Sequence, residues 1–336
     1  CCDYICFSMA VNNGFTSSGV IMSQKIIIDT DPGIDDTMAI FFALNSPEIE
    51  VLGLTTVYGN TSTDQGTKNA LRILEIASRT DIPVYSGAAQ PLETEYTGKG
   101  EFVHGHDGQG NTNLEDPVTT AATGSAVDFL EKTIKDNPGE VILVPIGPLT
   151  NIGELFIKDP NIGKDIKEII LMGGNALVQG NASPSAEANI RNDPEAADIV
   201  FSADCEISMV GLDVTNQVFM DKETIDKIVN FDNPQSQHLK KIFPFYVNFL
   251  SNFFNKEGMP THDSSAIAYL LDRTLFKTLK FPIVVETLGI SRGKTWMGTG
   301  MDKTKHNPWE NRRSVNICTE VNVDKVIDLI IQRIGS

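Results

Sequence analysis

The sequence predicts an α/β protein: an open, mostly parallel, doubly wound (Rossmann-like) sheet flanked by helices, in a single domain. Two observations carry this. Short apolar, β-branched runs alternate with amphipathic segments in a βαβαβ order from Lys25 to Ser86. The polar residues able to do chemistry then fall just after those runs. That is where an open parallel sheet binds its ligands.

The elements follow in chain order. Lys25 to Ile28 opens a buried strand, and Asp35 to Leu44 is a helix stopped by Asn45-Ser46-Pro47. Ile49 to Thr56 is the second strand, Thr63 to Ser78 the second helix and Pro83 to Ser86 a short third strand. Gly87 to Pro117 is a long polar loop, of a kind that is usually functional or disordered. Ala121 to Lys135 resumes as helix, Val141 to Pro145 as buried strand, and the turn from Ile146 leads into a helix reaching Lys158. Ile166 to Met172 is the next strand, Asn175 to Asn192 a second polar loop, Pro194 to Ser202 a helix and Ile207 to Leu212 a strand. Lys222 to Asn230 and Gln235 to Asn255 are helical, the latter with aromatics at core spacing. Ser264 to Leu271 is a helix, Phe281 to Glu286 a strand, and Arg292 to Pro308 a turn-rich stretch compatible with a hairpin. Ser314 to Thr319 and Val323 to Ile334 close the chain as strand and amphipathic helix.

With 336 residues, 41% of them hydrophobic, the chain can bury a large core. Residues 1–22 are expected to be a flexible extension, and 23–336 the folded domain. The segment Cys1 to Ile21 has no Lys or Arg and no long apolar stretch, unlike a secretory signal. The five cysteines are odd in number and three crowd the N-terminus, so no disulfide framework is expected and a reducing cytoplasm fits. A formal net charge of −17 argues against nucleic acid and against anionic membrane as partners. It favours a neutral small molecule.

Asp29, Asp31, Asp35 and Asp36 crowd into eight residues around the Pro32-Gly33 turn. So many like charges need a positive partner, and a hard divalent cation with oxygen ligands is the simplest one. An acidic helix start explains one or two of them, not four. Other strand ends add Asn60, the carbonyls of Ile146-Gly147-Pro148, the loop with Asn181, Glu187 and Asn189, and the run Thr261-His262-Asp263. Each has a plainer reading alone: Asn60 as a turn closer, Asp263 as a helix cap, His262 as an ordinary core histidine. Together, acids and amides at one sheet edge suit a hard cation and a ring of hydroxyls, as in a sugar.

The segments IIIDTDPGIDD, TTVYGN, PIGPLTN, MGGN…GNASPSAEAN and THDSSA, in this order, resemble the nucleoside hydrolase family, the inosine–uridine-preferring ribohydrolases, and more loosely its plant cytosolic members. The resemblance implies Ca²⁺ held by Asp31, Asp36, Asp263 and the Ile146 carbonyl. Asp35, Asn60, Asn181, Glu187, Asn189 and Asp263 would meet the ribose, with Asp29 supporting the cluster. It implies hydrolysis of the N-glycosidic bond of ribonucleosides through an oxocarbenium-like transition state. Asp31 would take the proton of a Ca²⁺-activated water, His262 would assist base departure and His104 would act from a closing loop. A homodimer, or a tetramer, is implied as well.

Two departures from the commoner family pattern, Gln109 and a longer 172–181 loop, are expected to touch the base pocket. Tyr246 and Phe249 would stack on the base if their helix borders it. The alternatives are a catalytically silent nucleoside-binding relative and a phosphatase of the haloacid-dehalogenase type. An EF-hand beginning at Asp29 is excluded because its twelfth position is Ile40 and a strand precedes it.

Overall fold

The computed structural model describes residues 23–96, 98, 100–300 and 307–336. The expected extension 1–22 and part of the 292–308 stretch lie outside the described residues.

The first half runs β1 (Gln24–Thr30), α1 (Ile34–Leu44), β2 (Ile49–Thr56), α2 (Thr63–Ile76), β3 (Val84–Ser86), α3 (Glu101–His104), α4 (Ala126–Asp136), β4 (Ile142–Pro145), α5 (Thr150–Lys158) and β5 (Glu168–Met172). The second half runs α6 (Ala188–Asn192), α7 (Pro194–Phe201), β6 (Ile207–Val210), α8 (Leu212–Thr215), β7 (Phe219–Asp221), α9 (Lys222–Val229), α10 (Pro234–Phe254), β8 (Gly258–Pro260), α11 (His262–Leu271), β9 (Phe276–Val285), β10 (Thr295–Met297), β11 (Ser314–Val321) and α12 (Val323–Ile334).

Nine strands form one sheet in the order β10-β9-β11-β6-β5-β4-β1-β2-β3. From β11 to β3 all neighbours are parallel; β9 and β10 add an antiparallel edge. The 292–308 stretch supplies β10, which pairs antiparallel with β9, a strand lying before that stretch, with Thr295 opposite Val285. Strands β7 and β8 make a separate two-stranded ribbon.

The pleat sorts β1 between two cores. Ile26 and Ile28 face the core shared with α1, α2, α10, α11 and α12, while Ile27 faces the one shared with α4, α5 and α7. Both faces being covered explains why the strand reads as a continuous apolar run. Burying one such side chain contributes roughly 1.5–3 kcal/mol.

Chain order reverses direction at β1, which lies between β2 and β4. The crevice at such a switch point is the natural ligand site. Two differences from the expected elements matter for it. Strand β6 stops at Val210, and Leu212–Thr215 forms a helical turn instead. Helix α11 begins at His262, with Thr261 as its cap, so Asp263 lies in the first turn and is not the cap.

Candidate active site

Asp29 and Asp31 leave the end of β1, and Asp35 and Asp36 form the first turn of α1. All four are buried, as is Asp263. Helices α1 and α11 pack together and both start at the switch point, which brings their acidic first turns face to face. Carboxylate oxygens of Asp35, Asp36 and Asp263 lie within 4.8 Å of one another. Acids at helix N-termini gain from the helix dipole, but that gain is small against the burial of several charges.

Local hydrogen bonds fix the side chains of Asp29, Asp31 and Asp36. Thr30 Oγ1 donates to Asp36 Oδ1 (2.6 Å), and the Gly33 N–H donates to Asp36 Oδ2 (2.9 Å). Asn60 ties two acids together: its N–H donates to Asp31 Oδ2 (2.6 Å) and its Nδ2 to Asp36 Oδ2 (2.8 Å). Asp29 Oδ1 accepts from Thr55 Oγ1 and Asn151 Nδ2 beneath the cluster. Among the described residues, Asp31 Oδ1, Asp35 Oδ1 and Asp29 Oδ2 are buried without a hydrogen-bond partner. The backbone crowds Asp31, since a Cβ at Gly147 would stand 2.6 Å from Oδ1 and one at Gly59 2.0 Å from Oδ2.

Burial raises the pKa of every one of these acids. Asp29 is pushed up to about 7 and Asp35 to about 6, each by burial first. Asp31 and Asp263 rise well above the carboxylate range, by burial and then by neighbouring carboxylates. Asp36 rises by burial and by Asp35. Orphaned buried oxygens, acid-only donors and mutual repulsion are what a hard cation site looks like before the cation is added. The residues present therefore fit a hard divalent cation.

The remaining expected residues sit at neighbouring strand ends. Glu187 caps α6: Oε1 accepts from the Asn189 N–H (2.8 Å), and Oε2 from those of Gly174 (2.9 Å) and Ile190 (3.1 Å). Asn189 Nδ2 donates to the carbonyls of Ile146 (2.8 Å) and Met172 (3.1 Å). One expected metal-ligating carbonyl is thus already hydrogen-bonded, with a second lone pair remaining. Asn181 is exposed, and its Oδ1 accepts from the Ala188 N–H (3.0 Å), spanning its loop instead of joining the acids.

Two histidines are buried over the cluster. His104 Nδ1 accepts from the Ile34 N–H (3.1 Å), so the neutral ring carries its proton on Nε2. His262 Nδ1 bonds Thr215 Oγ1 (2.8 Å). Burial lowers both pKa values to about 4. Tyr246 of α10 packs on His104, with ring centroids 5.5 Å apart, so the aromatic helix does border the acids. Phe249 lies further out, against Phe102 and Phe253.

Gln109 does not meet the expectation that it faces the base. It is buried, its Nε2 donates to Gly33 O and Thr37 Oγ1 (both 3.0 Å), and its Oε1 accepts from His238 Nε2 (2.8 Å). It fastens the 104–111 loop to α1 and α10. Sequence reasoning also passed over Thr215 and Asp213. Both follow β6, and the strand-end rule applied to that strand points to them.

Among the described residues no helix is long and apolar enough to cross a membrane. The profile of the inosine-uridine preferring nucleoside hydrolase family matches residues 26–328. A probable uridine nucleosidase 2 of Arabidopsis thaliana is 41% identical, over 93% of this chain and 97% of that protein. A pyrimidine-specific ribonucleoside hydrolase of Photobacterium profundum is 38% identical, over 94% of this chain and all of its own (100%). Among solved structures, a plant nucleoside hydrolase superposes with a TM-score of 0.90 at 36% identity, covering 93% of this chain and 99% of its own. A purine-preferring ribonucleoside hydrolase from Gardnerella vaginalis gives 0.86 at 32%, covering 93% and 98%. With its parallel sheet, its acids at the switch point and these matches along almost all its length, the chain belongs to the inosine-uridine preferring nucleoside hydrolase family.

Proposed function

We propose that the chain hydrolyses the N-glycosidic bond of ribonucleosides, purine nucleosides or uridine, in a Ca²⁺-dependent reaction releasing free base and ribose. The observation that carries this is the set of buried acids at the switch point, several with unpartnered oxygens. Asp31, Asp36, Asp263 and the Ile146 carbonyl would hold the cation. When bound, Ca²⁺ supplies a Lewis acid that grips a vicinal diol and acidifies a water.

Each side chain then has a task its chemistry suits. Asp31 Oδ1, buried and unpartnered, takes the proton of the attacking water. Asp35, Asn60, Asn181, Glu187, Asn189 and Asp263 receive the ribose hydroxyls. Asn181 reaches them only if its loop turns inward from the exposed position described above. Carboxylates and amide oxygens around the ring also stabilise the positive charge that grows there as the bond breaks. His262 assists departure of the base, and His104 closes the site from its loop.

Membership of the family sets aside the phosphatase alternative. The complete set Asp31, Asp36, His262 and Asp263 disfavours a silent relative. We further propose one catalytic domain from residue 23 onward, acting in the cytoplasm as a homodimer; sedimentation tests the assembly.

The deciding experiment is ribose release from inosine and uridine by protein stripped with EDTA and then resupplied with Ca²⁺. Loss and recovery are expected. Full activity after stripping would remove the cation from the reaction.

A further inference from the structure

The turn after β5 is held between two buried charges of opposite sign. Asp213, just beyond β6, accepts from the N–H groups of Ala176 (2.8 Å) and Leu177 (2.7 Å). Lys294, just before β10, donates from Nζ to the carbonyls of Asn175 (2.6 Å) and Ala176 (3.4 Å). The Asn175 carbonyl and the Ala176 N–H belong to one peptide unit, and the Ala176 carbonyl and the Leu177 N–H to the next. Two consecutive peptide dipoles therefore lie between an ammonium and a carboxylate, each end on the charge it prefers. Thr295 Oγ1 also exchanges hydrogen bonds with the N–H and carbonyl of Asn175, 2.9 Å each. A flip of either peptide would set carbonyl against carboxylate and N–H against ammonium.

The orientation is passed to the site. Gly174, immediately before the turn, gives its N–H to Glu187 Oε2 and takes the Leu212 N–H on its carbonyl, both at 2.9 Å. Asn175 Nδ2 bonds the carbonyls of Val178 and Ser185, so the turn also fixes the chain just before Glu187. Glu187 in turn holds the N–H of Asn189. Burying two opposite charges on either side of a turn is an inefficient way to gain stability, since desolvation offsets attraction. What this arrangement does without substitute is determine direction.

We propose that Asp213 and Lys294 are positioning residues that set the Glu187 carboxylate, and through it Asn189, for the sugar. This rests on the reading that Glu187 and Asn189 bind ribose. Contacts to the ribose hydroxyls act on ground state and transition state alike, while the growing ring charge is met chiefly by the acids of the α1–α11 cluster, which this turn does not touch; loosening the turn therefore raises KM more than it lowers kcat.

The test compares Asp213→Ala, Asp213→Asn, Lys294→Met and Glu187→Gln in Ca²⁺. It measures KM and kcat for uridine and inosine, inhibition by free ribose, melting temperature, and hydrogen exchange of the 174–178 amides. Asp213→Ala and Lys294→Met should raise KM and the ribose inhibition constant about tenfold, with kcat within threefold of wild type. Asp213→Asn should recover only part of this, since its single amide oxygen can accept from one of the two N–H groups while its NH2 meets the other. Exchange of the 176 and 177 amides should quicken in Asp213→Ala. If that variant does not fold, the other two read the same quantities. Ribose constants within twofold of wild type in the Asp213 and Lys294 variants, with Glu187→Gln impaired, would overturn the positioning role alone. A normal Glu187→Gln would overturn the sugar-binding reading itself. Proportional losses of kcat and stability, unrescued by Asp213→Asn, would make the clamp merely structural.

Discussion

Asp31 is crowded from three sides: Gly59 and Gly147 leave no room for a Cβ, and the Asn60 N–H fixes its other oxygen. Its Oδ1 has no partner among the described residues. Asp31→Asn keeps the shape but cannot take up a proton. Turnover is expected to fall by about 10²–10⁴, the range general-base removal gives. The circular dichroism spectrum should stay unchanged; near-normal turnover would remove Asp31 as base. His262→Ala should slow inosine more than a nucleoside with a good leaving group, because only the poor leaving group needs help. Equal losses on both would assign His262 a packing role beside Thr215. Gln109 makes a different kind of prediction, since its amide serves the fold. Gln109→Leu strips His238 Nε2 of its partner inside the protein, while the Gly33 carbonyl keeps its bonds from Thr37. A loss of about 1–3 kcal/mol in urea denaturation is expected for such an unsatisfied group. These atoms show why the Gln109 expectation failed. Its place in a polar loop was legible, but the side of the loop it faces depends on α10, far away in sequence.

Between elements, the site depends on turns that admit no side chain. The β4–α5 connection passes so near β1 that Gly147 would place a Cβ 2.6 Å from Asp31 Oδ1 and 3.1 Å from the Asp31 N. Gly147→Ala is therefore expected to move the carboxylate, cutting kcat/KM at least tenfold. Retention of wild-type kcat/KM would mean the turn yields instead. Elements with strong periodicity were legible in the sequence: β2 spans Ile49–Thr56 as read, and α1 and α12 agree within a residue. Those with little apolar surface were not. Strand β9 begins five residues before the expected Phe281, because Lys277, Thr278, Leu279 and Lys280 are exposed and carry no core pattern. Strands β7 and β8 have three residues each, too few for any period to show. The short helix α6 hid in a polar loop because its cap is the Glu187 carboxylate, a residue read there only as a sugar contact.

Across the whole molecule, the parallel sheet gathers acids that are far apart in the chain. Asp29, Asp31, Asp35 and Asp36 come from the first turn of the fold, and Asp263 arrives from α11 more than two hundred residues later. The carboxylate run was legible because it is local. That Asp263 joins it was implied in the sequence by the family resemblance alone, and the physical reason is the packing of α1 on α11. All five are shifted toward their protonated forms, first by burial. A cation bound among them reverses that cost, and the binding free energy appears as folding stability. At a hundredfold excess over its dissociation constant, Ca²⁺ should add about 2.7 kcal/mol to EDTA-stripped protein. For a chain of this size that is a rise of at least about 4 °C in melting temperature. Mg²⁺ should give less, since it keeps its waters and demands octahedral geometry that a buried acid cage does not supply. With a net charge of −17, some of any shift comes from screening the whole surface. Scans at constant ionic strength, with Asp263→Asn beside wild type, separate the two. A Ca²⁺-specific rise in wild type that vanishes in Asp263→Asn is the expected result; equal rises in both would reduce the ion to a surface effect.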